Sequence, residues 1–261
     1  MNVLVLLAGI ADPKWPLPTS LAAGTLDTHR ASYPLLSPFD EAALELALKL
    51  RDADPALRIS ALVAAASAQD PLLRHVASFR IDQLSAFDGA CWPAWNSAAL
   101  ASALAAQVRS TGPAPDLVLI GREFGDLDDG SLAPALASAL GCAFSALVLE
   151  VAAVDGGVDL LRQQGAVQER LRQPLPVVAG ITNHARNRLR HPLLKNVMAA
   201  KKMAFALIAL PETAPAPALL LTGAHPVAAP QRTTACRMLD GDAAAQARAL
   251  ATLLLASGEP A

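Results

Sequence analysis

The residues best suited to chemistry lie in one glycine-flanked loop, Gly121-Arg122-Glu123-Phe124-Gly125-Asp126-Leu127-Asp128-Asp129-Gly130-Ser131. It sits between an apolar strand and a helix expected over Leu132–Leu140. Glycines permit positive φ, and a helix start presents unpaired N–H groups, which together form an anion-binding concavity. Three aspartates would repel a free phosphate, so they suit ribose hydroxyls or helix capping instead. The string also has the look of a calcium loop, but it lacks the glutamate at position twelve and the flanking helices. From these residues alone, nucleotide binding and an ordinary capped turn both stay open.

Two further stretches carry signals. Ser37-Pro38-Phe39-Asp40-Glu41-Ala42-Ala43-Leu44-Glu45 opens a helix, with Ser37 suited to the N-cap and Pro38 to the first helical position. Arg186–Lys202 holds six Lys and Arg residues around Asn196-Val197-Met198, either a solvated face or a docking surface for an acidic partner. The P-loop, G-x-G-x-x-G, G-x-S-x-G and H-E-x-x-H patterns are missing. His29, His75, His184, His191 and His225 lack metal-ligand spacing, and a surface role is expected for His184 and His191. Cys91, Cys142 and Cys236 form neither a Cys-x-x-Cys pair nor an even set, which fits a reducing cytoplasm. Cys142 is expected as a buried thiol among small apolar residues.

The elements that must position these residues follow from the hydropathy pattern. Val3–Leu7, Ile59–Ala64, Leu84–Phe87 and Leu117–Gly121 are apolar runs expected as strands covered on both faces. Asp40–Arg51, Asp70–Ala77 and Ser97–Val108 between them have helical spacing. Alternation of this kind implies βαβ units and a parallel sheet, whose ligands bind beyond the strand carboxyl ends. After Ala143 the rhythm changes. Ser145–Val154, the Asp155-Gly156-Gly157 turn and Val158–Gln163 read as a β-hairpin, and Gly165–Leu171 and Leu175–Ile181 are expected to continue it as antiparallel strands. The expected organisation is an α/β domain over residues 1–212 and a Pro/Ala-rich arm over 213–261 with a helix at Asp242–Ala256. That arm is expected to pack on a partner.

Composition narrows the function class. Across 261 residues, 53% are hydrophobic and 17% charged, which supports a sizeable core and excludes intrinsic disorder. A net charge of −2 and pI ≈ 6.2 argue against a nucleic-acid binder. The mean hydropathy of +0.36 raises the question of a membrane. The longest candidate span, Met203–Leu221, is broken by Pro211, Glu212, Pro215 and Pro217, so the chain is expected to be soluble and not membrane-spanning. The N-terminus reads as a first strand rather than a signal peptide.

Taken in order, these stretches resemble the electron-transfer flavoprotein β subunits. Ser37-Pro38-Phe39-Asp40-Glu41 with Ala43-Leu44-Glu45 resembles that family's N-P-F-x-E…A-x-E helix start. Asp116-Leu117-Val118-Leu119-Ile120-Gly121-Arg122 resembles its D-L-V-L-L-G-K strand, and Asp126, Asp128 and Gly130 match its D-x-D-x-G-Q-T-G nucleotide loop. Leu175-Pro176-Val177-Val178 resembles L-P-A-V-V, and Leu194 through Lys202 resembles the signature L-P-N-I-M-x-A-K-K. The matches are collinear from about residue 3 to 205.

The resemblance implies an adenine-nucleotide-hydrolase-like α/β fold with a mostly parallel sheet and an added antiparallel hairpin region. It implies a heterodimer with an electron-transfer flavoprotein α subunit, with FAD held mainly on α and facing this chain. A flavoprotein dehydrogenase would be the donor and a quinone oxidoreductase the acceptor, this chain being an electron-carrier subunit rather than an enzyme. The family's β subunits hold a structural AMP or a second flavin. Carried over, that nucleotide site comprises Leu6, Ser37, Pro38, Phe39, Asp40, Ala64, Arg122, Gly125, Asp126, Asp128, Gly130, Ser131, Leu132 and Ala133. Partner recognition falls on Arg188–Met198, with Leu194 as the anchor and Arg190, Asn196, Met198, Lys201 and Lys202 around it. The family's Gln-Thr-Gly is replaced by Ser131-Leu132-Ala133, its first-strand lysine by Ala8 and its recognition-loop proline by Lys195. AMP is therefore expected to bind weakly or not at all. Two rivals make different predictions: a stand-alone universal-stress-like nucleotide-binding homodimer, and an enzyme using Cys142 or Cys91.

Overall fold

A computed structural model describes residues 1–7, 36–89, 92, 96–121, 130–211 and 238–256. The chain divides into two compact units, Met1–Ala224 and His225–Ala261. In the first, the described strands form one sheet: β1 (Asn2–Leu7), β2 (Arg58–Ala65), β3 (Gln83–Asp88), β4 (Leu117–Ile120), β5 (Ala143–Val154), β6 (Gly157–Gln164), β7 (Val167–Pro174), β8 (Val177–Ile181) and β9 (Leu207–Ile208). Their order is β7-β6-β5-β8-β4-β1-β2-β3-β9. The stretch from β5 through β9 pairs in parallel, and β6 and β7 add antiparallel strands at one edge. The fold is thus α/β and mostly parallel, with the expected antiparallel hairpin.

Two apolar layers cover the parallel part. α1 (Pro38–Ala53) and α2 (Pro71–Ala77) bury Leu44, Leu48, Leu72 and Leu73 against Val3, Val5 and Leu7 on one face. α3 (Ser97–Ser110) and α4 (Leu132–Leu140) bury Leu100, Leu104, Leu132 and Leu136 against Leu4 and Leu6 on the other. Alternate residues of β1 therefore face opposite helix layers, which is why the strand reads as an unbroken apolar run. α4 ends on Gly141 at φ 74°, where the backbone N–H donates to the Ala137 and Ser138 carbonyls.

Two expectations need correction. Leu175–Ile181 does not extend the antiparallel hairpin: β8 lies between β4 and β5 and pairs in parallel with both. Val177, Val178, Ala179, Gly180 and Ile181 are all buried, the state of an interior parallel strand covered on both faces. Cys142 is half-buried rather than buried. Burial pushes its thiol upward against the lowering effect of Arg109, so it has less thiolate than an ordinary cysteine at neutral pH. Cys91 and Cys236 lie outside the described residues.

In the second unit, α6 (Ala243–Ala256) starts where the Asp242 carboxylate accepts the Ala245 N–H at 2.8 Å. No described helix is long and apolar enough to cross a membrane.

Candidate functional site

The parallel strands place their carboxyl ends along one edge of the sheet. β1 lies between β4 and β2 there; α1, after β1, covers one face, and α4, after β4, covers the other. This is the topological switch at which open α/β sheets bind ligands, with two helix N-termini beside it.

Sequence chemistry builds each side of this crevice. Ser37 closes the start of α1 by accepting the Asp40 N–H on its hydroxyl at 3.1 Å, and Pro38 occupies the first turn. Asp40 is 2% exposed, and its acidic side chain in the first turn suits the positive end of the helix dipole. Gly121 directly follows β4. A Cβ there would stand 2.2 Å from the Phe39 carbonyl oxygen and 2.4 Å from the Asp40 nitrogen. The backbone at the end of β4 therefore lies against the first turn of α1, an approach only glycine permits. Gly130, at φ 74°, turns the chain into α4 with Ser131 at the N-cap position.

The residues expected at the nucleotide site are thus partly brought together. Leu6, Ala64, Leu132 and Ala133 are buried together in one apolar cluster. Ser37, Pro38, Phe39 and Asp40 line the α1 side, and Gly130 and Ser131 the α4 side. Arg122, Gly125, Asp126 and Asp128 lie outside the described residues. This edge thus combines buried apolar side chains, a strand–helix close approach and two helix starts.

The second expected set lies on the α1/α2 face. A short 3-10 turn at Ala185–Asn187 leads through residues 188–193 into α5 (Leu194–Ala200), which packs near α2. Leu194 is 77% exposed, Leu193 61% and Met198 50%. Lys195, Lys201 and Lys202 are exposed beside them, and Asn196 is half-buried. An inward-packed Leu194 is therefore excluded.

Arg190 differs from its expected companions in being held by the chain's own carboxylates, although its side chain stays 40% exposed. Its Nη2 lies 2.8 Å from Glu45 Oε1, its Nη1 2.6 Å from Asp52 Oδ2, and its backbone N–H donates to Glu45 Oε2 at 3.1 Å. The Glu45 hydrogen bonds hold the guanidinium above the ordinary arginine range against the effect of burial, and Asp52 adds to the rise. Glu45 is read in the sequence as part of the α1 helix start and, with Lys49, as a surface residue, yet it is 5% exposed; Asn187 and the contact role of Gly121 carry no sequence signal. Their partners are 82 to 145 positions away or are backbone atoms, and no local spacing signals them.

His184 accepts the Arg186 N–H at 3.2 Å and is half-buried, His191 is exposed, and among the described residues no three His, Cys, Asp or Glu gather as metal ligands. No curated protein matches the chain. The family model described as Electron transfer flavoprotein domain matches residues 25–213. This span takes in α1, the parallel strands from β2 onward, both sides of the crevice and the exposed α5 segment, and with it the chain belongs to the electron transfer flavoprotein family.

Proposed function

We propose that the chain is the β-type subunit of a heterodimeric electron-transfer flavoprotein that carries electrons from a flavoprotein dehydrogenase to a quinone oxidoreductase. The observation that carries this reading is α5: Leu193, Leu194 and Met198 are exposed together and bordered by Lys195, Lys201 and Lys202. A small apolar anchor inside a basic rim suits recognition of an acidic protein face, because the charges steer the encounter and the apolar contact holds it. The β assignment is further supported by the Leu194–Lys202 signature and by the Ser37–Glu45 helix start.

FAD, shared with the α subunit and held mainly there, supplies the electron-accepting and electron-donating chemistry when bound. This chain's residues bind and orient. The α4 start, with no acidic residue in its first turn, favours the negative phosphate end of a nucleotide, and Gly130 leaves room for close backbone approach. Asp40, Asp126 and Asp128 are the acceptors assigned to ribose hydroxyls, and Leu6, Ala64, Leu132 and Ala133 are the apolar residues assigned to the floor of the site. The arm over 213–261, with the leucine-rich α6, is assigned to packing on the α subunit.

The test is flavin binding by the isolated polypeptide. After gel filtration with FAD, the chain alone is expected to elute without flavin absorbance. Tight stoichiometric FAD on it would contradict a subunit whose flavin belongs mainly to its partner.

A second expectation concerns AMP. With Leu132 and Ala133 in place of Thr and Gly, the α4 start has lost a hydroxyl and carries a methyl where the family has none. Mass spectrometry of the denatured, extensively dialysed complex is expected to find AMP well below one equivalent. A full equivalent would show that the main-chain groups around Gly130 and Ser131 suffice.

A further inference from the structure

We infer that Glu45 is a positioning residue for partner docking: with Lys49 and Asp52 it forms a clamp along one edge of α1 that fixes the segment presenting Leu194. The inference rests on the docking role proposed above for α5.

Glu45, Lys49 and Asp52 stand at i, i+4 and i+7, a spacing that aligns them on one side of a helix. All three bind the same stretch of chain. Lys49 Nζ donates to the Arg186 carbonyl at 2.7 Å and to Asn187 Oδ1 at 3.0 Å. Asn187, 1% exposed, donates through Nδ2 to the Leu149 carbonyl at 2.6 Å, tying the turn to β5. Glu45 accepts from the Arg190 backbone N–H and from its guanidinium, and Asp52 takes the remaining arm. Residues 188–193 belong to no helix or strand, so side chains rather than a backbone ladder must fix their path.

The chemistry of Glu45 fits this task better than general stabilisation. Its side chain is 6% exposed while that of Arg190 is 40% exposed, and an ion pair that must desolvate a carboxylate adds little net stability. A carboxylate holding both the main chain and the side chain of one residue does fix direction. Arg190 lies four residues before Leu194, so its anchoring sets where α5 begins. Leu194 gains little from its own burial in this chain, being 77% exposed, and Leu193 is 61% exposed. Their presentation is therefore determined from below. A preorganised anchor binds more tightly because less ordering is left to the encounter.

The test uses the full complex, with the flavoprotein dehydrogenase of its own source that reduces the wild type fastest as the probe. Glu45→Gln keeps the shape of the side chain and removes its charge. Two readouts are expected to move together. Amide exchange should accelerate about tenfold over residues 186–200 while β1, β4 and β8 keep their protection. The apparent KM for the dehydrogenase should rise roughly tenfold, the effect of losing about 1.4 kcal/mol of preorganisation, and by more than kcat falls. Exchange rising evenly across the sheet with KM unchanged would make Glu45 an ordinary structural residue and overturn the inference. Should Glu45→Gln fail to fold, Lys49→Met removes two donors from the half-buried side of the clamp and must show the same paired change. Leu194→Ala separates the two levels. A docking defect in Leu194→Ala with none in either clamp variant overturns the clamp alone, and no defect in any of the three overturns the docking role as well.

Discussion

Leu194→Ala is expected to slow reduction of the complex by its dehydrogenase about thirtyfold at sub-saturating donor, with FAD content and melting temperature unchanged. The magnitude is that of a docking hot spot, about 2 kcal/mol on truncation. The specificity of the effect follows from exposure. With 77% of Leu194 in solvent, its truncation opens no core cavity, and surface substitutions of this kind stay within about 0.5 kcal/mol of folding stability. Lys195, Lys201 and Lys202 add a second signature. If they steer the encounter, the wild-type rate constant falls steeply with ionic strength, whereas the Leu194→Ala deficit persists across the salt series. Stopped-flow reduction at several salt concentrations measures both. A rate equal to wild type in an intact Leu194→Ala complex would remove this residue from recognition.

Gly121→Ala is expected to be among the most damaging one-atom changes at the described residues. The added methyl would meet the Phe39 carbonyl oxygen at 2.2 Å and its carbonyl carbon at 2.3 Å. These are backbone atoms in the first turn of α1, and no side chain can swing aside to make room. Overpacking of this severity costs about 3 kcal/mol or more, which in a unit of this size lowers the melting temperature by roughly 6–12 °C. Because the displaced turn is the α1 side of the crevice, any retained nucleotide should be lost with it. Gly180→Ala is the control. A methyl there meets the Phe144 ring at 3.5 Å and the Ala146 Cα at 3.7 Å, ordinary contacts, the nearer with a side chain that is 36% exposed. Thermal denaturation of the two variants decides the point: equal melting temperatures would mean that the β4–α1 contact is not tight in solution.

The parts of the fold legible in the sequence are those governed by local physics. Ser37-Pro38 marks the start of α1 because a hydroxyl cap and a proline at the first turn satisfy that end by themselves. β1 through β4 announce themselves as apolar runs because both faces are covered. β8 failed that logic only in its partnering. Val177–Ile181 lacks the polar alternation of β7, Val167–Pro174, and that contrast was the available sign that it leaves the hairpin for the interior. Strand neighbours are set by crossover connections, which hydropathy does not record. The candidate site divides in the same way. Glycine at 121 and 130 was visible, yet only the fold shows that the first presses on Phe39 and Asp40. Arg190 read as one more cation in a basic stretch, and its engagement with Glu45, 145 positions earlier, emerges only when α1 and the 188–193 segment are side by side.

The central claim, a β-type subunit of a flavin-bearing pair, is tested most directly by the absorption spectrum of the complex captured with the affinity-tagged, full-length chain from its native extract. A larger second subunit in equal amount is expected, with a flavin spectrum corresponding to one FAD per pair that bleaches when a flavoprotein dehydrogenase and its substrate are added. A colourless homodimer would contradict it and favour a stand-alone nucleotide-binding protein.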